Sequence, residues 1–188
     1  MRARGSGSNP QSRFDRIRQS PVDGPDLDCD PDPLPDPRTR LLPDHSRSIV
    51  ARNLSPDVGF AASVNPYRGC EHGCVYCYAR PTHEYLGLSA GLDFETRILV
   101  KHEAPELLRR TLASARWKPT VVALSGVTDP YQPAECRLRL TRRCLAVLAE
   151  FRNPVAVVTK SIRTANRVVT AGARGSTSRT DVRGMRAW

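Results

Sequence analysis

The sequence predicts an α/β fold for the middle of this 188-residue chain. Short apolar runs of strand length alternate there with longer segments whose apolar residues fall on one helical face. Strands and helices that alternate in this way form βαβ units around a parallel sheet. We expect this domain to cover residues 47–161, between an Arg/Pro/Asp-rich segment at 1–46 and a tail at 162–188.

The first 46 residues are predicted to be disordered. The stretch PVDGPDLDCDPDPLPDPR at positions 21–38 holds six Asp and six Pro and little apolar surface. Such a composition does not offset the entropy lost when a chain becomes ordered. Cys29 lies inside this stretch with no second cysteine nearby, so we interpret it as incidental.

Four apolar runs are predicted as buried strands: GFAASV (59–64), TRILV (96–100), TVVALS (120–125) and PVAVVT (154–159). The segment 104–117 is predicted as a helix whose apolar face carries Leu107, Leu108, Leu112 and Ala115. A second helix is predicted over 134–151, after the helix-start signal Pro133. Its apolar face carries Leu140, Cys144, Val147, Leu148 and Phe151.

The tail does not continue the pattern. From residue 161 onward the chain has no Leu and is rich in Arg, Gly, Ser and Thr, without a sustained period of strand or helix. We expect residues 162–188 to be an unstructured, aberrant end that comes from a frameshift or a truncation. A parallel sheet that ends with the strand at 154–159 would have an unprotected edge.

The composition limits the cellular compartments and the classes of binding partner that we expect for this chain. No apolar run is long enough to span a membrane, and no apolar segment follows the basic amino terminus. We therefore expect a cytoplasmic protein without a membrane partner. Thiols stay reduced there, so clustered cysteines indicate metal or catalytic ligands. The net charge of +10 keeps nucleic acid open as a partner, although no Lys/Arg block is interleaved with aromatic residues.

The stretch NPYRGCEHGCVYCYARPTHEY at positions 65–85 carries three cysteines, Cys70, Cys74 and Cys77, with the spacing C-x3-C-x2-C. Thiolates this close on a glycine-bearing loop can converge on one inorganic centre. One interpretation is a non-enzymatic zinc module in which His83 or His72 supplies the fourth ligand. The other is a 4Fe-4S cluster with one iron left open for a substrate or cofactor.

The cysteine motif, with Tyr76 just before its last cysteine, resembles the signature of the radical S-adenosylmethionine superfamily. Residues 46–161, which include SGVTDPYQPAE at 125–135, resemble the branch related to spore photoproduct lyase. The resemblance implies the N-terminal part of a partial (βα)6 radical-SAM barrel. That barrel is incomplete in this chain, because the resemblance stops near Lys160.

The resemblance also implies a chemistry. Cys70, Cys74 and Cys77 would hold a 4Fe-4S cluster whose fourth iron takes S-adenosylmethionine. One electron from an external reductant of flavodoxin or ferredoxin type would cleave this cofactor to methionine and a 5′-deoxyadenosyl radical. The radical would abstract hydrogen from a substrate that the sequence does not specify. The chain would be such an enzyme or an inactive fragment of one.

Cofactor contacts are implied at two places. Tyr76 is expected near the adenine. Ser125, Gly126, Thr128 and Asp129, which follow the strand at 120–125, are expected near the methionine end, with the carboxylate of Asp129 directed to the cofactor ammonium. The alternative is that Thr128 or Asp129 caps a strand-to-helix turn.

Other polar residues keep two interpretations. Arg68 would tune the cluster or be solvated, while Arg80 and His83 would face the cofactor or cap a helix. Lys160 lies either on the functional rim of the sheet or at an ordinary exposed position. Cys136 and Cys144 are predicted to be structural.

Overall fold

Two small sheets organise the chain in the computed structural model, which describes residues 5–14, 38–55 and 59–161. Cys29 and the predicted aberrant tail at 162–188 lie outside the described residues. The strands are β1 (Arg40–Pro43), β2 (Val50–Arg52), β3 (Ala62–Val64), β4 (Tyr67–Arg68), β5 (Arg97–Val100), β6 (Val122–Leu124) and β7 (Val155–Val157). The helices are α1 (Leu92–Thr96), α2 (Ala104–Leu112), α3 (Glu135–Leu138) and α4 (Leu140–Glu150), with a 3-10 helix at Arg80–Leu86.

The larger sheet has the order β2-β3-β6-β7. Strands β3, β6 and β7 are parallel, and β2 joins the edge antiparallel to β3. The chain between β3 and β6 contains β4, α1, β5 and, last, α2, whereas α3 and α4 lie between β6 and β7. The α/β class that the sequence predicts is thus confirmed as a mixed α/β fold. The two sheets do not close into a barrel within the described part of the chain.

The main core lies between this sheet and the two long helices. Leu107, Leu108 and Leu112 of α2 pack with Cys144, Val147 and Leu148 of α4. Ala62, Val64, Val122 and Leu124 of the strands complete the cluster. The positions three and four residues apart share one helical face, which explains why both helices bury the same side that the sequence predicts. Burial of one Leu side chain, such as Leu108, contributes about 2 kcal/mol.

The smaller sheet has the order β1-β5-β4. The predicted strand TRILV is confirmed as β5, but it pairs with β1 in parallel and with β4 in antiparallel orientation. It therefore does not extend the βαβ sheet. Its neighbour β1 lies within the segment that we expected to be disordered, so regular structure begins before residue 47. No helix among the described residues has the length and apolar character needed to cross a membrane.

Two predicted helices have different bounds in the structure. Helix α2 ends at Leu112, and Ala115 is exposed instead of lying on its apolar face. The helix predicted over 134–151 is divided at Arg139, whose φ of 52° is left-handed. The Glu135 carboxylate accepts the N–H groups of Thr141 and Arg142, each at 3.1 Å, and so caps the first turn of α4.

Candidate metal and cofactor site

The cysteine loop begins directly after β4. Gly69 has a φ of +83°, and a Cβ atom there would lie 2.9 Å from both the Phe94 carbonyl oxygen and the His83 ring. Only glycine avoids this close approach and tolerates the left-handed backbone. The next residue, Cys70, donates its N–H to the same Phe94 carbonyl at 2.8 Å. The loop is therefore held against α1 at its first cysteine.

All three cysteines of the loop are free thiols. Cys70 is buried beside Ala79 and Phe94, whereas Cys74 and Cys77 are partly exposed. Burial raises the pKa of the Cys70 thiol to about 11, although backbone N–H groups of Asp129 and His72 donate to its sulfur and oppose that rise. The thiol therefore holds its proton at neutral pH, and a bound metal has to displace that proton.

Gln132 fixes the backbone on both sides of Cys70. Its side chain is fully buried, donates from Nε2 to the Gly69 carbonyl at 3.2 Å and accepts the Glu71 N–H at 3.0 Å. The Glu71 carboxylate in turn accepts the Ala134 N–H at 2.6 Å. The segment that follows β6 is therefore hydrogen-bonded to the cysteine loop through the side chain of Gln132, and the loop is bonded back to that segment through the side chain of Glu71. We did not predict these roles for Gln132 and Glu71.

Asp129 joins the carboxyl ends of β6 and β7. Its carboxylate accepts the Tyr131 N–H at 2.8 Å, the Thr159 hydroxyl at 2.7 Å and the Lys160 N–H at 2.6 Å. His72 Nε2 lies 3.6 Å away. The carboxylate that we expected to meet the cofactor ammonium is engaged by these groups of the chain itself. The bond to Tyr131 corresponds to the alternative interpretation of Asp129 as a turn cap.

Lys160 reaches from the end of β7 to the cysteine loop. Its ammonium group donates to the Tyr76 hydroxyl at 2.8 Å and to the Cys74 sulfur at 3.2 Å. The Tyr76 ring is 79% exposed, and its centroid lies 4.3 Å from the same ammonium. The hydrogen bond to Tyr76, which has the larger effect, and the hydrogen bond to Cys74 both raise the pKa of Lys160, so its side chain stays a cation. The structure therefore brings two predicted residues, Cys74 and Tyr76, together at the rim where Lys160 lies.

The other predicted contacts follow β6. Ser125 and Gly126 have positive φ angles of 136° and 130°, and the Gly126 carbonyl accepts a hydrogen bond from the Tyr78 hydroxyl. Thr128 is buried, and its hydroxyl donates to the Tyr67 carbonyl at 3.2 Å. Thr128 therefore hydrogen-bonds the segment after β6 to β4. The chain turns at Ser125 and Gly126, directly after the carboxyl end of β6.

His83 lies in the interior. It is 0% exposed, packs edge-on against the Phe94 ring and has Nε2 3.0 Å from the Arg97 carbonyl. Burial lowers its pKa, so the ring is neutral at physiological pH. Its Nδ1 atom is buried without a hydrogen-bond partner. The structure thus gives His83 a packing role beside the loop.

The remaining candidates have defined partners. Arg80 donates to the Cys74 carbonyl at 2.9 Å and forms an ion pair with buried Glu95, so it holds the cysteine loop. Arg68 pairs with Asp44 at 2.8 Å. Cys144 lies in the main core. Cys136 is exposed on α3.

Three free thiols on one loop are a donor set that an iron–sulfur cluster takes. Within residues 5–14, 38–55 and 59–161, however, no three His, Cys, Asp or Glu side chains are grouped closely enough to coordinate one metal ion. The chain supplies the donors and a loop fixed at both ends, and the donor chemistry fits a cluster. Coordination would require the partly exposed Cys74 and Cys77 to close on Cys70.

Sequence reasoning missed the buried polar residues that hold the cysteine loop and the start of α4 in place. Gln132, Glu95 and Glu135 are all buried, at 0%, 0% and 7% exposure. Buried polar groups require partners, so polar residues amid apolar core positions are candidates for such bonds. Gln132 and Glu135 lie inside the quoted motif TDPYQPAE, where we considered only the residues at its start. Their partners are distant in sequence, so no local pattern identifies them.

The chain is similar to proteins from mycobacteria and an archaeon. It is 46% identical over 101 residues to the uncharacterized protein Rv2578c of Mycobacterium tuberculosis (strain ATCC 25618 / H37Rv). The same values hold for the uncharacterized protein Mb2609c of Mycobacterium bovis (strain ATCC BAA-935 / AF2122/97). Each match covers 54% of this chain and 30% of the relative.

A more distant match is 29% identical over 98 residues to the uncharacterized protein MJ0683 of Methanocaldococcus jannaschii, covering 52% of this chain and 34% of that protein. The chain therefore spans about a third of the length of these relatives. No protein-family model matches the chain, and no solved structure does.

Proposed function

We propose that this chain is a radical S-adenosylmethionine protein, or a part of one, related to the spore photoproduct lyase branch that its sequence resembles. Cys70, Cys74 and Cys77 would hold a 4Fe-4S cluster. One observation carries the proposal: the segments that follow the parallel strands β6 and β7 both contact the cysteine loop, which itself follows β3 and β4 in sequence. In open α/β sheets, ligands bind at the carboxyl ends of the parallel strands.

Particular contacts make this convergence. Lys160, after β7, reaches Cys74, and Gln132, after β6, brackets Cys70. Asp129 binds the two strand ends to each other through Thr159 and Lys160. A cofactor bound over the loop would therefore lie beside groups from the segments that follow β6 and β7.

When bound, the cluster would supply one electron that cleaves S-adenosylmethionine to methionine and a 5′-deoxyadenosyl radical for hydrogen abstraction. The chain's own residues would bind and orient. Exposed Tyr76 would offer its ring to the adenine, and the backbone of Ser125 and Gly126 would face the methionine end. The Lys160 ammonium would place a positive charge beside the Cys74 sulfur.

The whole protein's partners belong to the same proposal. We expect a cytoplasmic location and an external one-electron reductant of flavodoxin or ferredoxin type. The substrate stays open, with nucleic acid among the classes to test, because a fold and a cofactor do not fix the substrate.

Anaerobic reconstitution with iron and sulfide tests the proposal. We expect the broad visible absorbance of a 4Fe-4S cluster, and 5′-deoxyadenosine after addition of S-adenosylmethionine and a strong reductant. Cys74→Ala should lose both, while the exposed control Cys136→Ala should keep both. A cluster retained in Cys74→Ala, or about one zinc per chain without sulfide, would contradict the proposal and favour the zinc module.

A further inference from the structure

The N-terminal segment, residues 5–14, lies against the elements that carry the cysteine loop. Ser8 accepts the Leu92 N–H at 3.0 Å through its carbonyl. Asn9 and Asp93 form a reciprocal pair, in which Asn9 Nδ2 donates to Asp93 at 2.9 Å and the Asp93 N–H donates to Asn9 Oδ1 at 2.8 Å. The segment is therefore bound to the first turn of α1 by three hydrogen bonds, one to the backbone N–H of Leu92 and two in the reciprocal pair of Asn9 and Asp93.

The far end of this segment continues the contact. Arg13 forms an ion pair with Glu84 at 2.9 Å, and the Phe14 ring lies 5.1 Å from the ring of Tyr85. Ser89 donates its hydroxyl to the Pro10 carbonyl at 2.9 Å. The segment thus follows the 3-10 helix as well as α1.

Gly5 touches the cysteine loop itself. A Cβ atom on Gly5 would lie 1.7 Å from the carbonyl oxygen of Gly73, the residue just before Cys74. The Gly5 N–H donates to the Glu95 carboxylate at 3.0 Å. Only a residue without a side chain allows the two backbones to approach this closely.

Glu95 links Gly5 to the backbone of Cys74 through Arg80. Its carboxylate is buried and pairs with the Arg80 guanidinium, which donates to the Cys74 carbonyl at 2.9 Å. The same guanidinium donates to the Gly91 carbonyl at 3.1 Å. A continuous chain of hydrogen bonds therefore runs from Gly5 through Glu95 and Arg80 to the backbone of Cys74.

We propose that the N-terminal segment is a positioning element of the metal site, with Gly5 and Asn9 holding the Cys74 side of the cysteine loop in place. The inference rests on the proposed function in taking the three cysteines as metal ligands. It adds that residues outside the motif, far away in sequence, determine how firmly the loop is held. Loss of the docking should free Cys74 and Cys77 while the main core stays folded.

Two glycines of the segment supply a matched pair of variants. Gly5→Val introduces a clash with Gly73, whereas a Cβ atom on Gly7 meets nothing within 4 Å, so Gly7→Val is the control. The metal-free full-length chain is treated with iodoacetamide, and labelling of each cysteine is followed by peptide mass spectrometry. Buried Cys144 reports on the intact core.

We expect Gly5→Val and Asn9→Ala to speed the labelling of Cys74 by roughly three- to tenfold over Gly7→Val, as loss of one or two hydrogen bonds would produce. Cys144 should stay protected. If Gly5→Val also exposes Cys144, the whole fold has opened and Asn9→Ala alone decides. Equal Cys74 rates in Asn9→Ala and Gly7→Val would overturn the proposal.

A second measurement links the segment to the metal. In reconstituted protein, Gly5→Val and Asn9→Ala should lose iron to a chelator faster than Gly7→Val by a similar factor. A wild-type chain that takes up no iron and sulfide would contradict the proposed function. The labelling rates of the metal-free chain would still decide whether the segment positions the loop.

Discussion

The ammonium group of Lys160 lies 3.2 Å from the sulfur of Cys74, although 86 positions separate the two residues in sequence. The contact joins the end of the last described strand to the cysteine loop. It depends on Asp129, which accepts the Lys160 N–H at 2.6 Å and fixes the backbone from which the side chain extends. The charge beside Cys74 is therefore placed by the sheet and not by the loop.

Replacing Lys160 should change the reduction potential of the proposed 4Fe-4S cluster when that cluster is bound. A cation next to a cysteine ligand stabilises the more negative, reduced state. Lys160→Met should therefore lower the reduction potential by tens of millivolts, as measured in a redox titration followed by electron paramagnetic resonance. Lys160→Arg should retain most of the wild-type value. An unchanged potential in Lys160→Met would show that this ammonium does not act on the cluster.

Gln132→Ala should destabilise the domain. The variant leaves the part-buried Glu71 N–H and the buried Gly69 carbonyl without their side-chain partner, at a cost of about 1–3 kcal/mol. Urea unfolding of the metal-free chain measures the difference. Arg137→Ala, at an exposed position of α3, is the control and should change stability by less than about 0.5 kcal/mol. Equal effects of the two variants would refute the bracketing role of Gln132.

Tyr67→Phe tests the buried pair beneath the loop. The Tyr67 hydroxyl donates to the Glu135 carboxylate, and burial together with this bond raises the Tyr67 pKa, so the phenol remains a donor. Removing the hydroxyl should cost about 1–3 kcal/mol, because the Glu135 carboxylate is buried. Tyr85→Phe, whose ring is 71% exposed, should be nearly neutral in the same unfolding experiment. A neutral Tyr67→Phe would mean that the other donors to Glu135 suffice.

Cys144 should make stability fall at alkaline pH. Burial raises the pKa of its thiol from 9.0 to about 12, so the folded chain keeps a proton that the unfolded chain loses above pH 9.0. This contribution is complete below pH 9.0 and is lost as the pH rises toward 12. Between these values, one such thiol changes the free energy of unfolding by up to about 1.4 kcal/mol per pH unit.

The measurement compares unfolding free energies of wild type and Cys144→Ala under reducing conditions as the pH is raised. Cys144→Ala should lose stability less steeply than wild type. Cys136→Ala, which removes an exposed thiol, should keep the wild-type slope. Identical slopes for wild type and Cys144→Ala would show that the Cys144 proton is not linked to folding.

Much of the fold could be predicted because its pattern is local. The apolar faces of α2 and α4 recur every three or four residues, and β3, β6 and β7 are short apolar runs. Their alternation predicts the parallel order, since crossover helices connect parallel strands. The cysteine spacing and the TDPYQPAE motif likewise lie in continuous stretches of sequence.

The sequence by itself determined which faces are buried and which residue types could hold a metal. Only the tertiary structure decided the partners: β5 pairs with β1 and β4, Glu135 caps the first turn of α4, and Gln132 hydrogen-bonds the backbone on both sides of Cys70. It also placed Gly5 against Gly73, in a segment that we expected to be disordered. Periodicity reports that a side chain is buried, because burial follows from the local pattern. It does not report which residues the buried side chain packs against, because those contacts join residues that are tens of positions apart in sequence.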